Sequence, residues 1–238
     1  MSFVQVSKKG EIATVTLARG KVNALNEQMF REIRTSFQDL EKSAEVRAVI
    51  LTGRGKFFSF GFDIPELLSY SKDDFIRYLT KFANFYNYLF LFPKPVIAAL
   101  NGHTIAGGCM LANACDFRVM VAEKAKIALN EITFGASVFA GSVAILKFCV
   151  GSKNAETILY SGAMYSPVVP AENLMQTAEK AAVDFASKSA AAFSSIKGLL
   201  RGPVAAEMAI REQDSLHEFA DIWYSEETWA NLEDIKIH

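Results

Sequence analysis

The chain has 238 residues, 51% of them apolar, with a formal net charge of −1. That composition excludes a disordered chain and a surface that is basic throughout, as a nucleic-acid binder would need. The length suffices for one sizeable core.

Three cysteines (Cys109, Cys115 and Cys149), all in apolar surroundings, fit a reducing compartment rather than a disulfide framework, so a cytoplasmic location is expected. The first residues, Met1–Gln5, lack the basic-then-apolar pattern of a secretory leader. No run is apolar enough to span a bilayer. Phe82–Phe92 comes nearest, and asparagines interrupt it before Pro93 closes it. His103, His217 and His238 are dispersed without metal-ligand spacing, so no metal is expected.

In chain order, Phe3–Val6 and Thr14–Leu17 alternate around a glycine-bearing turn and read as a hairpin. Asn26 is placed to cap a helix whose Met29, Ile33, Phe37 and Leu40 recur at helical spacing. Val46–Thr52 reads as a strand and Pro65–Tyr70 as a short helix. Ser71, with an acid three residues on, caps a helix over Asp73–Phe90 that is apolar on most sides. Lys94–Leu100 reads as a buried strand, Cys109–Cys115 as a buried helix, and Phe117–Val121 and Lys126–Ala128 as strands. Strands separated by helices imply parallel pairing through crossovers. Helices follow at Gly141–Val150, Asn154–Ser161, Leu174–Lys188 and Ala190–Leu200, then from Pro203 through Ala220 and over Ser225–Ile235. The last ones cannot form a core alone and should pack on the main domain or on neighbouring subunits.

Two blocks carry the chemistry. Gly53–Ile64 follows a strand and contains Phe57-Phe58-Ser59-Phe60-Gly61-Phe62-Asp63-Ile64. Asn101–Glu131 opens with Asn101-Gly102-His103-Thr104-Ile105-Ala106-Gly107-Gly108-Cys109-Met110 and closes with Leu129-Asn130-Glu131. Paired glycines at a helix start allow close backbone approach and leave amide N–H groups free for an oxygen that becomes negative. Taken alone, Gly107-Gly108 is more often a tight strand-to-helix join. A Ser59–His103 nucleophile pair is discounted, because the first glycine of G-x-S-x-G is missing.

Together the blocks resemble the crotonase superfamily, the enoyl-CoA hydratases and isomerases, with F-S-x-G-x-D-[LI] and N-G-x-x-x-G-G-G-C in the family's order. The likeness runs from Val22-Asn23-Ala24-Leu25-Asn26 to Phe219-Ala220-Asp221-Ile222-Trp223. It implies an α/β fold, the crotonase-type (ClpP/crotonase) spiral of ββα units with a helical C-terminal region, assembled as a homotrimer or dimer of trimers. It implies an oxyanion hole made by the amides of Phe60 and Gly107. It also implies a coenzyme A thioester as substrate, no permanently bound cofactor, and neither nucleic acid nor membrane as partner.

The family's hydratases use two glutamates. The first would stand at Met110, where a thioether cannot exchange a proton; the second matches Glu131. One carboxylate suffices for a proton shuttle, so the resemblance is closer to the Δ3,Δ2-enoyl-CoA isomerases of fatty-acid β-oxidation. Glu131, flanked by Ile127, Leu129, Ile132 and Phe134, should be partly desolvated and raised in pKa. The alternatives are another crotonase reaction (hydration, hydrolysis or decarboxylation) or a catalytically silent acyl-CoA binder.

On the coenzyme A side the resemblance implies contacts from the Val22–Leu25 loop (Val22, Ala24 and Leu25), with Lys21 and Lys56 both as weaker candidates. Phe60, Phe62, Ile64, Met110, Asn130, Phe134 and Phe139 are expected around the acyl group, and core packing is the commoner fate of such phenylalanines. Asp63 is placed among these contacts, although capping the next helix suits it better.

At Tyr165-Ser166-Pro167 the family's intervening helical turn and G-L-V-D segment are missing. Either the natural chain lacks them or Ser166 and Pro167 are not truly joined; the second is expected. The chain is accordingly divided into a core spiral over 1–166 and a helical region over 167–238.

Overall fold

The computed structural model describes residues 2–121, 125–165, 173–233 and 235. The Ser166–Pro167 junction lies outside the described residues, as does His238.

β1 (Val4–Lys9) and β2 (Ile12–Leu17) form the expected hairpin, turning at Gly10 with φ +58°. α1 (Glu27–Lys42) starts where the Asn26 side chain accepts from the Met29 N–H at 2.9 Å. β3 (Ala48–Gly53) then pairs in parallel with β2. After β4 (Phe57–Ser59), α2 (Ile64–Leu67) and the Ser71-capped α3 (Lys72–Leu91), β5 (Val96–Leu100) returns beside β3. β6 (His103–Ile105), α4 (Gly107–Ala114), β7 (Phe117–Met120) and β8 (Ile127–Ala128) follow. The strands make two sheets, ordered β1-β2-β3-β5-β7 and β4-β6-β8. Apart from the hairpin, every ladder between these strands is parallel, so the crossover reading holds.

The larger sheet is covered on both faces, as parallel sheets must be. Val49, Leu51 and Ala98 face a core built with α1, α3 and α4. The alternate residues Ala48, Ile50, Ile97 and Ala99 face a stripe of Leu174, Ala178, Ala182 and Ala186 on α7 (Leu174–Ala186). α3 buries Phe75, Phe82, Phe85 and Tyr86 among others, and packs against α1, α4, α5 (Ala140–Val150) and α8 (Ala190–Trp223). α6 spans Ser152–Ser161.

The C-terminal part corrects one expectation. Instead of breaking between Leu200 and Pro203, α8 runs unbroken over Ala190–Trp223 with Pro203 inside it. A proline there removes the hydrogen bond to the carbonyl four residues back and costs about 3 kcal/mol; that carbonyl belongs to Leu199, an exposed residue. Just before this point a buried ion cluster anchors the helix, and beyond it α8 packs on α3 and α5. Lys197 Nζ and Arg201 Nη2 lie 2.8 and 3.0 Å from the two oxygens of Asp116, just ahead of β7. Arg201 also donates to the carbonyls of Phe90, Ala114 and Cys115 and stacks over the Phe90 ring. Burial pushes the Lys197 ammonium down to about 8, against the opposing pull of Asp116. α9 (Glu226–Glu233) closes the described chain, burying Thr228 and Leu232. Among the described residues no helix is long and apolar enough to cross a membrane.

Candidate active site

Because β4, β6 and β8 run parallel, their C-terminal ends lie along one edge, and each strand leads there into a segment of interest. β4 leads into Phe60–Asp63, β6 into Ala106-Gly107, and β8 into Asn130-Glu131. The Ala106 N–H donates to the Ala128 carbonyl at 2.8 Å, tying the last two together.

The first segment corrects the expected oxyanion hole. The Phe60 N–H donates to the Val22 carbonyl at 2.9 Å and is therefore committed to the fold. Leu25 N–H donates to the Gly61 carbonyl and Asp63 N–H to the Leu25 carbonyl, a short parallel bridge that skips the Phe62 N–H. Among the described residues, neither the Phe62 nor the Gly107 amide has an acceptor. Gly107 opens α4, so its N–H is one of those a helix leaves unpaired, at the positive end of the dipole. Ala106 precedes it at φ 48°, ψ −119°, a conformation costly for a residue with a side chain. Counting back from the aspartate rather than forward from the serine would have pointed to Phe62.

Glu131 begins a 3-10 turn (Glu131–Phe134) and is 5% exposed. Burial pushes its carboxyl up to about 7, and its Oε2 has no hydrogen-bond partner. It lines two cavities. The inner one, about 280 Å³, also has Phe60, Phe62, Ile64, Ile105, Ala106, Asn130, Thr133, Phe134, Phe219, Trp223 and Ile235 in its wall. Glu131 is the one ionisable group in that wall among the described residues. The outer cavity, about 700 Å³, is mainly aliphatic near Glu131 (Leu129, Ile132, Ala136, Val138) and carries Lys147 and Glu156 farther out.

Of the residues expected around the acyl group, Phe60, Phe62, Ile64, Asn130 and Phe134 thus meet at one cavity with Glu131. Two do not. Phe139 is fully buried edge-on to Phe82 and Tyr86, and Met110 is 1% exposed inside the main core; neither lines a described cavity. Asp63 caps α2 by accepting from the Glu66 N–H and pairs with Arg19 at 2.5 Å, so its carboxylate is not offered to a ligand.

Ala24 and Leu25 are buried rather than presented to a ligand. The Ala24 carbonyl accepts from Arg19, and the Leu25 carbonyl from the Tyr78 hydroxyl. Val22 is half-buried, whereas Lys21 and Lys56 are exposed. The Ser59 hydroxyl donates to the Asn23 carbonyl and accepts from the Gly61 N–H, consistent with setting it aside as a nucleophile.

Sequence reasoning missed Asn23, which is fully buried at φ 51°. Its amide nitrogen donates to the carbonyls of Arg54, Phe57 and Phe58, fastening the Val22–Leu25 loop to β4. It also missed Phe219 and Trp223, which reach the inner cavity from α8, and Ile235, which reaches it from just beyond the last helix; helical spacing showed only that those helices need a partner.

The profile of the enoyl-CoA hydratase/isomerase family matches residues 7–221. The chain belongs to that family. It is similar to the mitochondrial enoyl-CoA hydratase of Pongo abelii, with 32% identity over 202 residues, covering 79% of this chain and 69% of the relative. Among solved structures, an enoyl-CoA hydratase/isomerase from Xanthobacter autotrophicus Py2 is 28% identical with a TM-score of 0.86, over 98% of this chain and 92% of that one. The human mitochondrial Δ3,Δ2-enoyl-CoA isomerase superposes with a TM-score of 0.92 at 24% identity, over 97% and 95% of the two chains. The fold is thus the crotonase-type α/β fold with a helical C-terminal region, and the family acts on coenzyme A thioesters.

Proposed function

We propose that this family member is a Δ3,Δ2-enoyl-CoA isomerase working with a single carboxylate. The observation that carries the reading is that Glu131 is the one ionisable side chain in the inner cavity wall among the described residues, a wall it shares with Phe62, whose amide is unpaired, and with Ala106, which precedes the unpaired amide of Gly107. A 3-enoyl thioester is held with its carbonyl oxygen between those amides. Glu131 removes a proton from C2, the C2–H electron pair moves into conjugation, and the charge comes to rest on the thioester oxygen as a dienolate. The amides hold that oxygen more strongly as it becomes negative. Glu131 then returns the proton at C4, leaving the 2-enoyl product. Exposed Lys21 and Lys56 are proposed to meet the coenzyme A phosphates.

Hydration is the second reading, because the Pongo abelii relative is named a hydratase. It needs a water held for attack and a second proton partner, and Met110 offers neither. The test is to assay 3-hexenoyl-CoA isomerisation and crotonyl-CoA hydration side by side for the parent and Glu131→Gln. The isomerase reading expects turnover of the first substrate, lost in the variant. Efficient hydration with no isomerisation would replace it with the hydratase reading.

A further inference from the structure

The segment that carries the free Phe62 amide is held in place by one buried residue. Asn23 has no exposed surface and sits at φ 51°, a left-handed conformation that asparagine tolerates better than most residues. Its Oδ1 accepts from the Arg19 N–H at 3.0 Å, and its own N–H donates to the Arg19 carbonyl, so the turn between them is closed on itself. Its Nδ2 faces the carbonyls of Phe57, Phe58 and Arg54 at 2.9, 3.2 and 3.2 Å, more acceptors than two hydrogens can serve singly. The Asn23 carbonyl accepts from the Ser59 hydroxyl at 2.8 Å, and that hydroxyl accepts in turn from the Gly61 N–H at 3.2 Å. On either side of Asn23, the Val22 carbonyl takes the Phe60 N–H, and Leu25 pairs with the Gly61 carbonyl and the Asp63 N–H. In this register the Phe62 amide is the one left over. A one-residue slip turns every group of an extended pair to the opposite side, and would spend the Phe62 N–H in place of its neighbours'.

We infer that Asn23 is a positioning residue for the reaction: through its side chain and its main-chain carbonyl it fixes the register between the Val22–Leu25 loop and the segment leaving β4, and so keeps the Phe62 amide free for the thioester oxygen. This rests on the proposal that the Phe62 and Gly107 amides receive that oxygen. Such donors act on charge that develops in the transition state, so misplacing one by about 1 Å costs rate, on the order of 10²-fold, with little effect on ground-state binding.

The test compares Asn23→Gly, Ser59→Ala and Ser71→Ala with the parent protein. Glycine accepts the left-handed backbone without strain, so Asn23→Gly removes the side-chain bonds and leaves the loop conformation allowed. Ser59→Ala cuts only the link to the Asn23 carbonyl, and Ser71→Ala, which uncaps α3, is the control for lost stability. The readouts are kcat and KM for 3-hexenoyl-CoA and the absorption of bound 2,4-hexadienoyl-CoA, a conjugated thioester whose band moves to longer wavelength as its carbonyl oxygen takes up hydrogen bonds. Asn23→Gly should lower kcat about 10²-fold with KM nearly unchanged, and lose most of the red shift. Ser59→Ala should show the same two changes in smaller measure, with kcat down about tenfold, so the inference can be read even where the glycine variant does not fold. Ser71→Ala should lower the melting temperature and change neither readout. An unchanged kcat and red shift in Ser59→Ala, or in folded Asn23→Gly, overturns the inference and leaves the isomerase reading standing, as does a loss confined to KM. A parent that neither isomerises 3-hexenoyl-CoA nor shifts the band of the dienoyl thioester removes the isomerase reading, and the inference with it.

Discussion

Gly61 lies so close to Gly107 that a methyl group on Gly61 would stand 3.1 Å from the Gly107 nitrogen and 2.9 Å from the Ile105 carbonyl oxygen. The contact fixes the distance between the Phe62 and Gly107 amides, since Gly61 precedes one donor and touches the other. Gly61 also has φ +97°, so a side chain is disfavoured there twice over.

Gly61→Ala should consequently spread the two donors. Losing one oxyanion-hole donor typically lowers kcat by about 10²–10³-fold, and a loss of that order is expected. Gly55→Ala is the control: its φ is +84°, yet a methyl group there meets nothing within 4 Å. It should cost some stability while leaving kcat nearly unchanged. Equal kcat in both variants would separate the Gly61–Gly107 contact from catalysis.

Glu131 must be ionised to take a proton, and burial holds its carboxyl at about 7. The isomerase rate should therefore rise with pH through about 7 and then level off. A pH–rate profile already flat from pH 5 would show that another group limits the reaction.

The same group makes stability depend on pH. Its folded pKa lies above the ordinary 4.5, so the folded state holds the proton more tightly than the unfolded chain. Its contribution is fully present below about pH 4.5 and is lost as pH rises to about 7, an effect on the order of 3 kcal/mol at most. Glu131→Gln removes this slope. The melting temperature of the variant should gain on that of the parent between pH 5 and pH 8, and a constant difference would contradict the assignment.

Asp116→Asn should destabilise the chain by about 3–5 kcal/mol, because breaking a buried pair leaves its partners unpaired. Here two cations, Lys197 and Arg201, lose their counter-ion. Urea unfolding midpoints measure this directly, and a change below about 1 kcal/mol would place the cluster with the weak surface pairs.

Much of this architecture was legible in the sequence. Alternation gave the hairpin, and the capping residues Asn26 and Ser71 gave the starts of α1 and α3, because these are local effects. Glu131 was legible as a carboxylate in apolar company. What was not legible depended on pairing across the chain. Phe60 and Phe62 both flank Gly61, and only the parallel bridge between Leu25 and Phe62 determines which amide is spent. The continuity of α8 past Pro203 goes with tertiary partners distant in sequence, α3 and α5 along its length and, just before the proline, Asp116, which lies 81 positions before Lys197. Local proline chemistry alone argues for a break. Met110 was recognised as chemically inert, but its depth in the core follows from how α4 packs and not from its type.

The long α8 also makes two distant places mechanically one. Arg201 is clamped to Asp116, while Trp223, 22 residues further along and so about 33 Å away at 1.5 Å per residue, forms part of the cavity roof. The helix is held at both places, by Asp116 at Arg201 and by Phe75 at Trp223, so a displacement at one is felt at the other. Substitutions around Asp116 can therefore shift Trp223 and change the shape of the inner cavity from a distance.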